Sequence, residues 1–106
     1  MKIAIAEDDP RFAQQLESFL SQFAAEQQLQ IETKRFPDGA SLVDAYDYTF
    51  DLLLLDVDMP GLDGISTARQ IRERDADVLL IFITNLAQYA IKGYEVDALD
   101  YVLSQP

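Results

Sequence analysis

Apolar and polar positions along this chain fall into blocks that switch between strand-like runs and helical spacing. Lys2-Ile3-Ala4-Ile5-Ala6 reads as a short apolar strand that breaks into Glu7-Asp8-Asp9. Pro10 then suits the first turn of a helix, with Asp9 as its N-cap. Phe12, Leu16, Phe19, Leu20 and Phe23 recur at helical spacing and predict one apolar face. Ile31 to Phe36 predicts a second strand, and Glu32, Lys34 and Arg35 along it suit an edge position. Asp38-Gly39 begins a short helix through Leu42, Val43 and Tyr46. Asp51 to Leu55 is a strand with four consecutive leucines, an apolar run that fits burial on both faces. Asp63 can cap a helix whose apolar positions are Ile65, Ala68 and Ile71. Val78 to Ile83 is a further buried strand ending in Thr84-Asn85, followed by a short helix around Ala87 to Lys92 and a small strand, Tyr101 to Leu103. This β-α-β-α-β-α-β-α-β order predicts an α/β fold, a parallel sheet with helices on both faces.

The chain has 106 residues, 49% of them hydrophobic, enough for one domain with a single core. No repeat, linker or low-complexity stretch divides it. No apolar run approaches the ~20 residues of a membrane span, and no leader-like segment opens the chain. It holds neither cysteine nor histidine, which removes disulfides, thiolate and imidazole metal ligands and the usual general base. Absence of cysteine fits a cytoplasmic address. Nineteen acids against eight bases give a net charge of −11, so the domain repels phosphate backbones and direct nucleic-acid binding is not expected. Most of these acids keep a domain soluble. Clustered ones suit a hard divalent cation.

Asp56 stands apart from that background. It leaves the leucine strand at its C-terminal end and runs into Val57-Asp58-Met59-Pro60-Gly61-Leu62-Asp63-Gly64, a Pro/Gly-rich turn. Ligand and reactive groups of open α/β sheets lie outside the carboxyl ends of the strands. Three strand exits carry polar groups in this way: Glu7 and Asp8 after the first, Asp56 after the third, Thr84 after the fourth. If those strands are neighbours, the groups converge. Bare carboxylates there would repel one another by ~4 kcal/mol per pair at about 4 Å and an effective dielectric near 20. A Mg²⁺ ion removes that cost and takes one or two carboxylates directly, keeping several waters. Glu7 and Asp8 also fit the plainer reading of helix-opening acids, and Tyr101 that of a core ring.

With those motifs together, the sequence resembles the receiver domain of two-component response regulators, along essentially the whole chain. Tyr89 to Tyr101 is most similar to regulators that carry a LytTR-type DNA-binding domain. The resemblance implies a doubly wound, flavodoxin-like sheet of five parallel strands in the order 2-1-3-4-5. It implies that Asp56 accepts a phosphoryl group from a sensor histidine kinase, a signalling role and not a conventional enzyme activity. Asp8 would bind Mg²⁺ directly, Glu7 through water, with Asp56 and the backbone carbonyl of Asp58 supplying further oxygens. Thr84 would contact the phosphoryl group, and its movement would let the Tyr101 ring turn inward as the switch.

Two departures from the family stand at the end of the chain. The lysine expected at the exit of the last strand, before a proline, falls on Ser104 or Gln105 ahead of Pro106, depending on the direction of counting. Neither is charged, and a charge-assisted contact of ~1.5–3 kcal/mol is forgone. Asp56 is then expected to take phosphate but to couple poorly to Thr84 and Tyr101. The usual final helix is also lacking, so residues 1–106 are expected to form a single receiver domain shortened at its C-terminus, without the effector domain. The exposed strip left behind favours a homodimer or a swapped dimer. A second reading is a pseudo-receiver acting by protein contact alone. A third, from the similarity of Asp56-Val57-Asp58 to the Asp-x-Asp of haloacid-dehalogenase-like phosphatases, lacks that family's second lysine and downstream acidic motif.

Overall fold

The computed structural model describes residues 1–84 and 100–103. In chain order these are β1 (Lys2–Ala6), α1 (Pro10–Gln27), β2 (Glu32–Phe36), α2 (Gly39–Ala45), β3 (Leu52–Asp56), α3 (Gly64–Arg74), β4 (Leu79–Thr84) and β5 (Asp100–Leu103). The expected helix over Ala87 to Lys92, the positions Ser104 and Gln105, and the side chains of Thr84 and Tyr101 lie outside the described residues. The first four strands run parallel in the order β2-β1-β3-β4, as the alternation of elements predicts, and β5 lies parallel beside β4. Strand limits shift by one residue from expectation: β2 begins at Glu32, and β3 runs from Leu52 through Asp56. Polar β2 is an edge strand.

Period-two alternation divides the strand side chains between two apolar layers. Ala4, Ala6, Leu53, Leu55, Leu80 and Phe82 face one layer, where Leu42 and Val43 of α2 and Ile65, Ala68 and Ile71 of α3 close over them. Ile3, Ile5 and Leu54 face the other, against Leu16 and Leu20 of α1. The leucine strand is therefore covered on both sides. Full burial of a side chain such as Leu55 or Phe82 contributes about 1.5–3 kcal/mol each, so these layers dominate the stability of the domain.

Each described helix opens on an aspartate. Asp9 accepts from the Arg11 N–H at 2.9 Å, Asp38 from Ser41 at 2.7 Å, and Asp63 from Ser66 at 2.7 Å. Such caps contribute about 1 kcal/mol apiece. They also fix where each helix begins relative to the strand before it. Among the described residues, no helix is long and apolar enough to cross a membrane.

The expected apolar face of α1 is only partly core. Ala13 is the buried residue of the helix, Leu16 and Leu20 are half-buried, and Phe19 is 67% exposed with Phe23 at 41%. The cause is angular. At about 100° per residue, Phe19 lies some 120° around the helix from Ala13. The apolar arc is thus wider than the sheet beneath it, and the side toward Phe19 faces solvent.

Candidate functional site

The first side of the site is the exit from β1. Its chain is held by β2: the Glu7 N–H donates to the Phe36 carbonyl at 3.1 Å, one rung beyond the strand. Arg35 adds a second hold. Its Nε and Nη2 donate to the Glu7 carbonyl at 3.2 and 2.9 Å, and Nη2 reaches the Asp8 carbonyl at 3.3 Å. Glu7 is only 4% exposed, whereas Asp8 is exposed. The Asp9 N–H donates to Glu7 Oε1 at 3.2 Å while the Asp9 carboxylate caps α1.

The second side is the exit from β3. Asp56 is the last residue of that strand and half-buried, with its Oδ1 accepting the Asp58 N–H at 3.3 Å. The turn behind it is anchored by Met59, which is buried, and reverses at Gly61, whose φ of 75° is unfavourable for any residue with a side chain. The chain then returns through Asp63 to α3, whose first residue, Gly64, donates its N–H to the Val57 carbonyl at 2.9 Å. Gly64 rests directly on the Asp56 backbone, where a Cβ would collide with the main-chain carbonyl. The start of α3 thereby fixes Asp56 from below.

Because β1 and β3 pair directly, these exits meet. Carboxylate oxygens of Glu7, Asp8 and Asp56 lie within 4.8 Å of one another. Burial, then the charge and hydrogen bond of Asp56, hold the Glu7 carboxyl well above the usual carboxylate range. Burial also raises Asp56, against the lowering effect of hydrogen bonds from Glu7 and from the Asp58 N–H.

Three crowded carboxylates suit a small hard cation. Opposite ligands of octahedral Mg²⁺ at ~2.1 Å stand about 4.2 Å apart, and oxygens within 4.8 Å of one another lie near that separation, so such an ion would take some of them directly and the rest through water. Asp58 contributes its N–H to Asp56 here, and Asp63 acts as a helix cap. In register, Asp56 of β3 lies opposite Ile83 of β4, which places the Thr84 backbone one step further along the same sheet edge. Tyr101 lies opposite Phe82.

Sequence reasoning missed Arg35 and the contact between Gly64 and Asp56. Arg35 was read only as part of a polar edge. Its position immediately before Phe36, in register with Ile5 near the end of β1, is the signal that places it beside the Glu7-Asp8 loop.

Comparison with known proteins gives concordant results. The family model described as the response regulator receiver domain matches residues 3–105. The chain is 29% identical over 103 residues to the positive alginate biosynthesis regulatory protein of Pseudomonas aeruginosa, covering 97% of this chain and 41% of that protein. It is 36% identical over 69 residues to the sensory transduction protein LytT of Oceanobacillus iheyensis, covering 62% of this chain and 28% of that protein. The chain thus spans about two fifths or less of the length of these relatives. Among solved structures, it is similar to the response regulatory domain of protein mrkE from Klebsiella pneumoniae, with a TM-score of 0.81, 30% identity, and coverage of 100% of this chain and 84% of that one. The fold is also shared with response regulator TrrA from Thermotoga maritima in complex with Mg²⁺-BeF, with a TM-score of 0.84, 23% identity, and coverage of 98% and 86%.

Proposed function

The chain belongs to the response regulator receiver family, and from that membership we propose that it is a phosphoacceptor switch. Its donor is a sensor histidine kinase, its acceptor is Asp56, and its output goes to an effector domain beyond this 106-residue segment. The observation that carries this reading is the placement of Asp56. A half-buried carboxylate ends a central strand with oxygens of Glu7 and Asp8 within 4.8 Å.

The chemistry follows from those positions. A carboxylate oxygen of Asp56 attacks phosphorus in line, a P–O bond forms, and the P–N bond to the donor imidazole breaks. Little covalent work falls to the protein beyond holding the nucleophile still and ionised. The Asp58 N–H on Oδ1 and the Gly64 contact do the first. A bound Mg²⁺ would neutralise the acids and the charge on the transferring group. Asp8, Asp56 and the Asp58 carbonyl are its proposed direct ligands, with Glu7 joined through water.

Thr84 is proposed to contact the phosphoryl group, and Tyr101 to report its arrival. The β4 register, which brings Thr84 to the sheet edge beside Asp56, supports this assignment. A five-stranded receiver sheet in the order 2-1-3-4-5 and a cytoplasmic setting complete the reading.

Intact-mass spectrometry after incubation with a small-molecule phosphodonor and Mg²⁺ tests it, beside an Asp56→Asn control. One added, hydroxylamine-labile phosphoryl group that requires both Mg²⁺ and Asp56 is expected. A folded protein that gains no adduct would instead be a receiver-shaped module working by protein contact alone.

A further inference from the structure

We propose that Arg35 is a positioning residue for the cation pocket, setting the Glu7-Asp8 loop from the neighbouring edge strand. This inference rests on the reading of Glu7, Asp8 and Asp56 as a Mg²⁺ site.

Arg35 lies on β2 opposite Ile5 of β1 and is half-buried. Beside a cluster of carboxylates, the default partner of a guanidinium is a carboxylate, bound through its fork of donors. Arg35 does otherwise. Among the described residues, its three hydrogen bonds end on main-chain carbonyls, two on Glu7 and one on Asp8. The carboxylate oxygens stay available to a cation, and the peptide that carries them is held on its carbonyl side. The Glu7 N–H, bonded to the Phe36 carbonyl, holds the other side. The link from Glu7 to Asp8 is therefore fixed by β2 at three main-chain atoms. Those atoms set the direction in which the exposed Asp8 carboxylate leaves the backbone, and so its distance from Asp56.

Charge alone predicts the opposite consequence. A fixed positive group beside the pocket repels a divalent cation, so its removal would tighten binding. Loss of positioning loosens binding, because groups that orient metal ligands typically contribute 10–100-fold to affinity. The two effects differ in sign. A measurement can choose between them.

The experiment is isothermal titration of the 106-residue chain with MgCl₂ at constant ionic strength, for the wild type, Arg35→Met and Arg35→Lys. Metal-free melting by circular dichroism is followed alongside. Arg35→Met is expected to bind Mg²⁺ about tenfold more weakly, with phosphorylation from a small-molecule donor recovering at saturating Mg²⁺. Arg35→Lys keeps the charge but loses the fork, and it is expected to fall between the two. Affinity unchanged or tighter in Arg35→Met overturns the proposal, even if melting drops, because a residue that only pairs strands would do that. Should the methionine variant fail to fold, wild-type affinity in Arg35→Lys overturns it equally. A wild type that binds no Mg²⁺ defeats the metal reading itself, and the proposal falls with it.

Discussion

Gly64 packs against the main-chain carbonyl of Asp56 with no space for a side chain between them. The first turn of α3 and the end of β3 are thereby pressed together at Asp56. Alanine at position 64 would gain up to about 1 kcal/mol in helix propensity and would force this contact apart at a cost of about 1–3 kcal/mol. Gly64→Ala is therefore expected to lose about 1–2 kcal/mol of stability by urea denaturation. It should also slow phosphorylation of Asp56 at saturating Mg²⁺, because the nucleophile is displaced. Normal phosphorylation with lowered stability would show that the contact serves the fold alone.

The raised Glu7 carboxyl makes metal-free stability depend on pH. Burial and Asp56 push the Glu7 carboxyl up to about 8 in the folded protein, against the ordinary carboxylate range when unfolded. The folded state therefore binds this proton more tightly, and the stability it contributes is complete below the unfolded value. That contribution is lost as pH rises from about 4.5 through 8, with a slope of at most about 1.4 kcal/mol per unit. Urea titrations without metal should show falling stability across that window. Glu7→Gln should flatten the curve, and Mg²⁺ should restore stability at the alkaline end. A wild-type curve as flat as that of Glu7→Gln would contradict the raised Glu7 carboxyl.

Far from the pocket, the Tyr46 hydroxyl donates to Asp75 Oδ2 at 2.6 Å. Asp75 also accepts the N–H groups of Asp77 and Val78 at the turn into β4, and its carboxyl is held below the usual range, chiefly by Tyr46. Tyr46→Phe is expected to cost about 1.5 kcal/mol at neutral pH, as for a hydrogen bond to a charged group. A depressed carboxyl contributes stability above its unfolded value and loses it as pH falls through the folded one. The difference between variant and wild type should accordingly shrink below about pH 4. A difference that persists undiminished in acid would assign it to packing of the ring.

Exposure of Phe19 against complete burial of Phe82 sets up a direct contrast between two phenylalanines. Phe82→Ala should cost about 3–5 kcal/mol, the cost of a core cavity. Phe19→Ser should stay within about 0.5 kcal/mol of the wild type, as for most surface substitutions. Thermal or urea denaturation of the pair checks this. A large loss at Phe19 would mean that the side of α1 is covered in solution.

The fold was legible because the strands advertise themselves. Apolar runs ending in Ala6, Leu55 and Ile83, separated by helical spacing, leave little choice but a parallel sheet. The capping aspartates Asp9, Asp38 and Asp63 could be placed by the same logic, since each precedes a helix pattern. Glu7, Asp8 and Asp56 were legible as a group because each is a carboxylate at the exit of an apolar strand. The register that joins them is a tertiary fact which no local pattern contains. Phe19 misled because periodicity reports an apolar arc and not the width of the surface beneath it. Arg35 was hidden for a related reason. Its partners are main-chain carbonyls of another strand's loop, and backbone atoms leave no mark in a sequence.

The Glu7 N–H, bonded to the Phe36 carbonyl, continues the β1–β2 ladder one step past the end of β1. This amide can exchange with solvent deuterium only when the tip of β2 comes away from β1. An edge strand has one neighbour to leave, so this opening belongs to the less costly motions of the sheet. Every such opening also frees the backbone that bears Glu7 and Asp8. Amide exchange at a single nitrogen thus times how often the acid pocket is dismantled and rebuilt, with no phosphate or metal added.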